Sequence, residues 1–132
     1  AGPLLLDRFG GPVFFWDDAN TQASVRVLRS RVRAGDELFV YEAPHETLYP
    51  LLDAMPPGRF YVDPVFWYYL DKDGADDKVV ANLAARHGLT VLYREPAESD
   101  GEVRRTAIYR FLRSSTDVVE KVDARTSVRK VR

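Results

Sequence analysis

The chain reads as an α/β domain on two observations. Short apolar runs of strand length alternate with stretches whose apolar residues recur at helical spacing, and carboxylates stand where the apolar runs stop. The runs lie at residues 13–16, 38–41, 60–62 and 89–93, with a helical pattern between each and the next. That alternation predicts a three-layer α/β/α sandwich, in which a mainly parallel central sheet of four to five strands carries helices on both faces. Sheets of this kind hold their ligands at the carboxyl ends of the strands.

Val13, Phe14, Phe15 and Trp16 follow Gly10-Gly11-Pro12 and suit a buried first strand. Over residues 22–33, Val25, Leu28 and Val32 mark one helical face, and Arg26, Arg29, Arg31 and Arg33 occupy the rest. Thr21 is the expected N-cap and Ala34-Gly35 the stop. Leu38, Phe39, Val40 and Tyr41 form the second strand. Leu48, Leu51, Leu52 and Met55 trace the next helix, which Pro56-Pro57-Gly58 ends, and Phe60, Tyr61 and Val62 make a third strand. The aromatic segment 65–70, with Trp67, Tyr68 and Tyr69 at its centre, suits either a strand or a loop with a short helix. After the turn Lys72-Asp73-Gly74-Ala75, Val79, Val80, Leu83 and Ala84 define a helix stopped at Gly88, and residues 89–93 give the fourth strand. Val103, Ala107, Phe111 and Leu112 suggest a last helix, although Ile108-Tyr109 also suits a strand. The basic segment from residue 116 to 132 is expected as a C-terminal extension that packs, frays or links onward, beyond a domain spanning 1–115.

At 132 residues the chain can bury one substantial core. It is 45% hydrophobic and 30% charged with a formal net charge of −1, so polyanion binding would need a local basic face. There is no cysteine, which removes disulfides, zinc–thiolate sites and thiol nucleophiles. No apolar run approaches the roughly 20 residues of a membrane helix, and an intracellular, cytoplasmic setting is expected, with an organelle as the alternative. The chain starts at Ala1 and its one methionine is Met55, which suits a processed or excised piece of a larger protein.

The chemistry suggested by the acids is that of a divalent cation. Asp17 and Asp18 end the first strand, Glu42 follows the second, Asp63 the third and Glu95 the fourth, while Asp76 and Asp77 open a helix. Carboxylates that converge repel unless a cation neutralises them. Hard cations such as Mg²⁺ or Mn²⁺ prefer such oxygen ligands and can activate water against a phosphoryl group. The plainer reading of Asp76-Asp77 is that they cap a helix. His45 and His87 have no metal-ligand spacing, and the sequence holds neither a nucleophile elbow nor a glycine-rich phosphate loop.

The segment Val13-Phe14-Phe15-Trp16-Asp17-Asp18-Ala19-Asn20 resembles the strand-then-Asp-x-x-Asn opening of NYN domains, a branch of the PIN-like metallonucleases. Lys72-Asp73-Gly74-Ala75-Asp76-Asp77 resembles the segment that opens their central helix, and the stretch from Asp76 through Tyr93 is similar to Regnase-type ribonucleases. The likeness spans roughly residues 12–100. It implies Mg²⁺- or Mn²⁺-dependent endoribonuclease activity on single-stranded RNA, with Asp17, Asp76, Asp77 and Glu95 as the catalytic set. Asp17, Asp76 and Glu95 would hold metal with Asp100 as a final ligand, and Asp77 would position water. Asn20 would orient Asp17 or a phosphate, and Arg26, Arg29 and Arg33 would contact the RNA backbone. The chain departs from the pattern after the fourth strand, where Tyr93-Arg94-Glu95 replaces Ser/Thr-Asn-Asp. Arg94 there would neutralise the site or hold a phosphate.

Two other readings stand beside this one. A catalytically inactive PIN-like domain would bind RNA or assemble with protein, either another partner or a second copy, through the 65–70 aromatic segment. An atypical receiver-like signalling domain would use Asp17, Asp18 and Asp63 instead. Against the receiver, Asp63 precedes Pro64 and the aromatic segment, and Tyr93 stands in place of the usual Thr/Ser.

Overall fold

The computed structural model describes residues 19–59 and 75–132. Four α-helices and one four-stranded sheet are built from them: α1 (Ala19–Arg29), β1 (Leu38–Tyr41), α2 (His45–Leu52), α3 (Ala75–Ala84), β2 (Thr90–Arg94), α4 (Ala107–Ser114), β3 (Thr116–Lys121) and β4 (Thr126–Val131). Short 3-10 turns occur at Pro57–Arg59 and Val103–Arg105. The expected strands at 13–16 and 60–62, Asp17, Asp18, Asp63 and the aromatic segment 65–70 lie outside the described residues. Among the described residues no helix is long and apolar enough to cross a membrane.

The sheet corrects the expected topology. Its order is β1-β2-β4-β3. β1 and β2 run parallel, but β4 is antiparallel to both β2 and β3, so the sheet is mixed and mostly antiparallel rather than mainly parallel. The cause is the segment 116–132. It forms a hairpin whose second strand hydrogen-bonds to β2 and so belongs to the sheet. At the turn, one Asp123 carboxylate oxygen accepts the backbone N–H of Arg125 and of Thr126, both at 2.8 Å, an arrangement by which Asp commonly closes turns.

Strand alternation sends side chains to two cores. Phe39 and Tyr41 of β1, Val91 and Tyr93 of β2, and Val131 of β4 pack on one face with Val79 and Leu83 of α3 and Ile108 and Leu112 of α4. Leu38, Val40, Leu92 and Val128 pack on the other with Leu28 of α1 and Leu48 and Leu52 of α2. Leu28, Leu83, Leu112 and Val128 are fully buried, and each such side chain contributes about 1.5–3 kcal/mol of transfer free energy. Tyr49 is buried in the second core with its hydroxyl satisfied, donating to the Leu38 carbonyl at 2.7 Å and accepting the Val40 N–H at 3.2 Å.

Three local expectations shift. α1 starts at Ala19, so Thr21 is a buried helical residue instead of a cap. α1 also stops four residues short of Arg33 (33 − 29). Met55 leaves the α2 face. It forms a parallel bridge with Glu37, its N–H bonding the Asp36 carbonyl at 2.9 Å.

Among the described strands β3 lies at an edge of the sheet, and it carries a bulge. Thr116, Asp117 and Val118 pair with Val131, Lys130 and Arg129, then the register shifts and Glu120 and Lys121 pair with Val128 and Ser127. Val119 is the unpaired residue. Paired residues share a face, so Lys121 lies on the α3–α4 face with Ser127 and Arg129. Glu120 lies on the opposite face, where Arg31 bonds it at 3.0 Å. A regular ladder continued from Thr116 would exchange the two, and redirecting side chains is a recurrent use of bulges.

Candidate functional site

Asp76 lies in the first turn of α3, as the sequence suggests, but its carboxylate serves a different helix. One oxygen accepts the Ala107 N–H at 2.6 Å and the other the Ile108 N–H at 3.0 Å, at the start of α4. Thr106, the N-cap of α4, accepts the Tyr109 N–H through its hydroxyl at 3.2 Å, and its own N–H reaches the Val103 carbonyl at 3.2 Å. All four N–H groups that open α4, orphans in any helix, thus have acceptors. Asp76 also sits at the positive ends of two helix dipoles, where a carboxylate is favoured.

Glu95, one residue past β2, is the centre of a polar cluster. One carboxylate oxygen accepts the Tyr93 hydroxyl at 2.5 Å and the Arg113 guanidinium at 2.8 Å. The other accepts the Tyr109 hydroxyl at 2.8 Å and lies 3.3 Å from Arg104. Partial burial pushes the carboxyl up. The hydrogen bonds from Tyr93, Tyr109 and Arg113 outweigh that and hold it below the usual carboxylate range. Burial and the Glu95 carboxylate together drive the Tyr93 phenol far up, so it stays a donor. Arg104 and Arg113 lie 5.8 and 5.9 Å from the Tyr109 ring centroid, and Arg129 lies 4.3 Å from that of Tyr93.

The remaining sequence-predicted site residues are dispersed. Asp77 and Asp100 are exposed, and Asp17 falls outside the described residues. The Asn20 amide donates to the Asp123 carboxylate and, at 3.0 Å, to the Thr126 hydroxyl, fastening α1 to the β3–β4 turn. Arg26, Arg29 and Arg33 are exposed and Arg94 is half-buried. His87 Nδ1 lies 2.6 Å from the Arg132 main-chain oxygen, a structural contact.

Among the described residues no three acidic or histidine side chains stand close enough to hold one metal ion. The donor chemistry agrees. Both Asp76 oxygens point at backbone N–H groups, and the Glu95 carboxylate is already paired with two guanidinium groups and hydrogen-bonded by two phenols. A hard cation placed there would compete with Arg104 and Arg113 for the same lone pairs. Asp76 and Glu95 are thus committed to protein donors in this arrangement, and Asp17, the third acid of the expected Mg²⁺ or Mn²⁺ site, lies outside the described residues.

The sequence reading missed a cleft next to Glu95, bounded by the end of α4 and the β3–β4 hairpin. It has a volume of about 270 Å³, and its lining includes Arg113, Lys121, Arg125 and Arg129. Arg125 donates to the Glu95 carbonyl at 2.7 and 3.2 Å, while the Glu95 N–H returns a bond to the Arg125 carbonyl at 2.7 Å. Arg129 is tied to neutral acceptors: the Ser127 hydroxyl and the Leu112 carbonyl at 3.2 Å, and the Thr116 hydroxyl at 3.4 Å. Burial, helped by the nearby Arg113 charge, pulls its guanidinium down from the usual arginine range. The clue in the sequence was the spacing Arg125-x-x-x-Arg129, legible only once the tail is placed in the sheet. No family model, curated protein or solved structure matches the chain.

Proposed function

We propose that this chain is a non-catalytic α/β binding domain that engages an anionic ligand, and that it does not hydrolyse phosphodiester bonds. One observation carries the reading: Asp76, the acid the nuclease mechanism most needs in this half of the chain, spends both oxygens on opening α4. Glu95 supports it, because a carboxylate caged by cations has little left to offer a metal. The positively charged groups around it then favour an anion as the ligand.

The test is incubation of single-stranded RNA with the purified chain and Mn²⁺, alongside thermal melts with and without the metal. Intact RNA and an unchanged melting temperature are expected. Cleavage that disappears in Asp17→Asn or Asp77→Asn would overturn the reading in favour of the metallonuclease. Asp77 is the more informative position, because it is exposed and its loss should not disturb the fold, as that of Asp76 would.

A further inference from the structure

We infer that the cleft between α4 and the β3–β4 hairpin is a binding site for the terminal phosphate of a small phosphomonoester. This extends the binding-domain reading by naming the ligand group and its seat. Arg113, Lys121, Arg125 and Arg129 line the cleft, and Glu95 is the sole carboxylate among its lining residues. Arg113 and Arg104 already face Glu95, at 2.8 and 3.3 Å. Lys121, Arg125 and Arg129 are therefore left without a carboxylate within ion-pair distance among the described residues.

Arg129 gives the site its preorganisation. The Leu112 carbonyl, two hydroxyls and the Tyr93 ring fix the guanidinium, so little side-chain freedom is lost on binding. None of those partners carries a charge, and Glu95, already held by Arg104 and Arg113, acts on the guanidinium only through space, so the partly buried cation remains costly. An anion entering the cleft would remove that cost. Guanidinium groups suit phosphate oxygens because their N–H donors match them in pairs.

The bulge in β3 is an independent sign of the same polarity. It directs Lys121 to the cleft face and turns Glu120 away to Arg31. Where a regular strand would set a carboxylate beside Ser127, this one sets an ammonium. The cleft volume of about 270 Å³, just below the usual range of small-molecule sites, has room for a phosphate bearing one small group.

The experiment is calorimetric titration of the whole chain with ribose 5-phosphate, with ribose as the neutral control and a single-stranded RNA oligomer lacking terminal phosphates as a second ligand. Saturable binding of ribose 5-phosphate and none of ribose is expected. Lys121→Glu should weaken binding at least tenfold and Lys121→Arg should retain it. Lys121 is exposed and its side chain has no hydrogen-bond or ion-pair partner among the described residues, so both variants should melt like the parent chain. Lys130→Glu makes the same charge change on the opposite sheet face and should alter binding less than threefold. Absence of saturable binding, equal losses from Lys121→Glu and Lys130→Glu, or tighter binding of the oligomer in competition with ribose 5-phosphate would each overturn the phosphate site. None of these results produces metal-dependent cleavage, so failure here is distinct from failure of the non-catalytic reading.

Discussion

Asp76 supplies a side-chain acceptor to each of the first two N–H groups of α4, a helix remote from it in sequence. Capping of this kind is worth about 1 kcal/mol per bond, and more when the acceptor is charged. Asp76→Ala should therefore lower unfolding stability by about 2–3 kcal/mol, read as a lower urea midpoint, while Asp76→Asn keeps one acceptor and loses less. Glu95 gives the molecule a pH signature. Its folded value lies below the ordinary 4.5, so the unfolded chain takes up the proton first as pH falls. The stabilisation it provides is complete above pH 4.5 and disappears as pH drops through the lower, folded value. Acid titration of the melting temperature should show this decline in the parent chain and a shallower one in Glu95→Gln. That both residues matter was legible in the sequence, since each is an acid at a strand end or helix start. What each does was not, because the donors come from other elements: Tyr109 and Arg113 stand 14 and 18 positions beyond Glu95.

Elements with a buried stripe declared themselves, and the one without did not. Val79 and Leu83 for α3, or Leu38 to Tyr41 for β1, carry periodicities that sequence alone resolves. In β3, by contrast, Val118 and Val119 are 49% and 39% exposed and charged residues surround them, so neither face shows the alternation that marks a half-buried strand. The β3–β4 hairpin is set by the Asp123 turn and by cross-strand pairing, which are contacts of the folded chain. Missing it turned a mixed sheet into a parallel one and hid the cleft. The hairpin is nevertheless integral, because Val128 and Val131 are 0% and 3% exposed, one in each core. A chain ending at residue 115 should lose cooperative thermal unfolding, whereas a chain divided at a true domain boundary would keep it.

Across the molecule, two apolar cores on opposite sides of one sheet fix the scaffold, and the polar chemistry collects where the carboxyl end of β2 meets the α4 terminus and the hairpin. This is the strand end that the topology of α/β sheets singles out, although an antiparallel neighbour rather than another parallel strand completes it. Composition gave no warning, since a formal net charge of −1 conceals a local surplus of cations. The extra residue in β3 also bears on how copies of this protein behave in concentrated solution. An outermost strand with unpaired backbone groups invites strands from other molecules, and an interrupted, twisted edge discourages them. Deleting Val119 would restore an even ladder and leave Glu120 and Lys121 on their present faces. The shortened chain should keep its fold yet self-associate, giving light scattering that grows with protein concentration where the parent gives none.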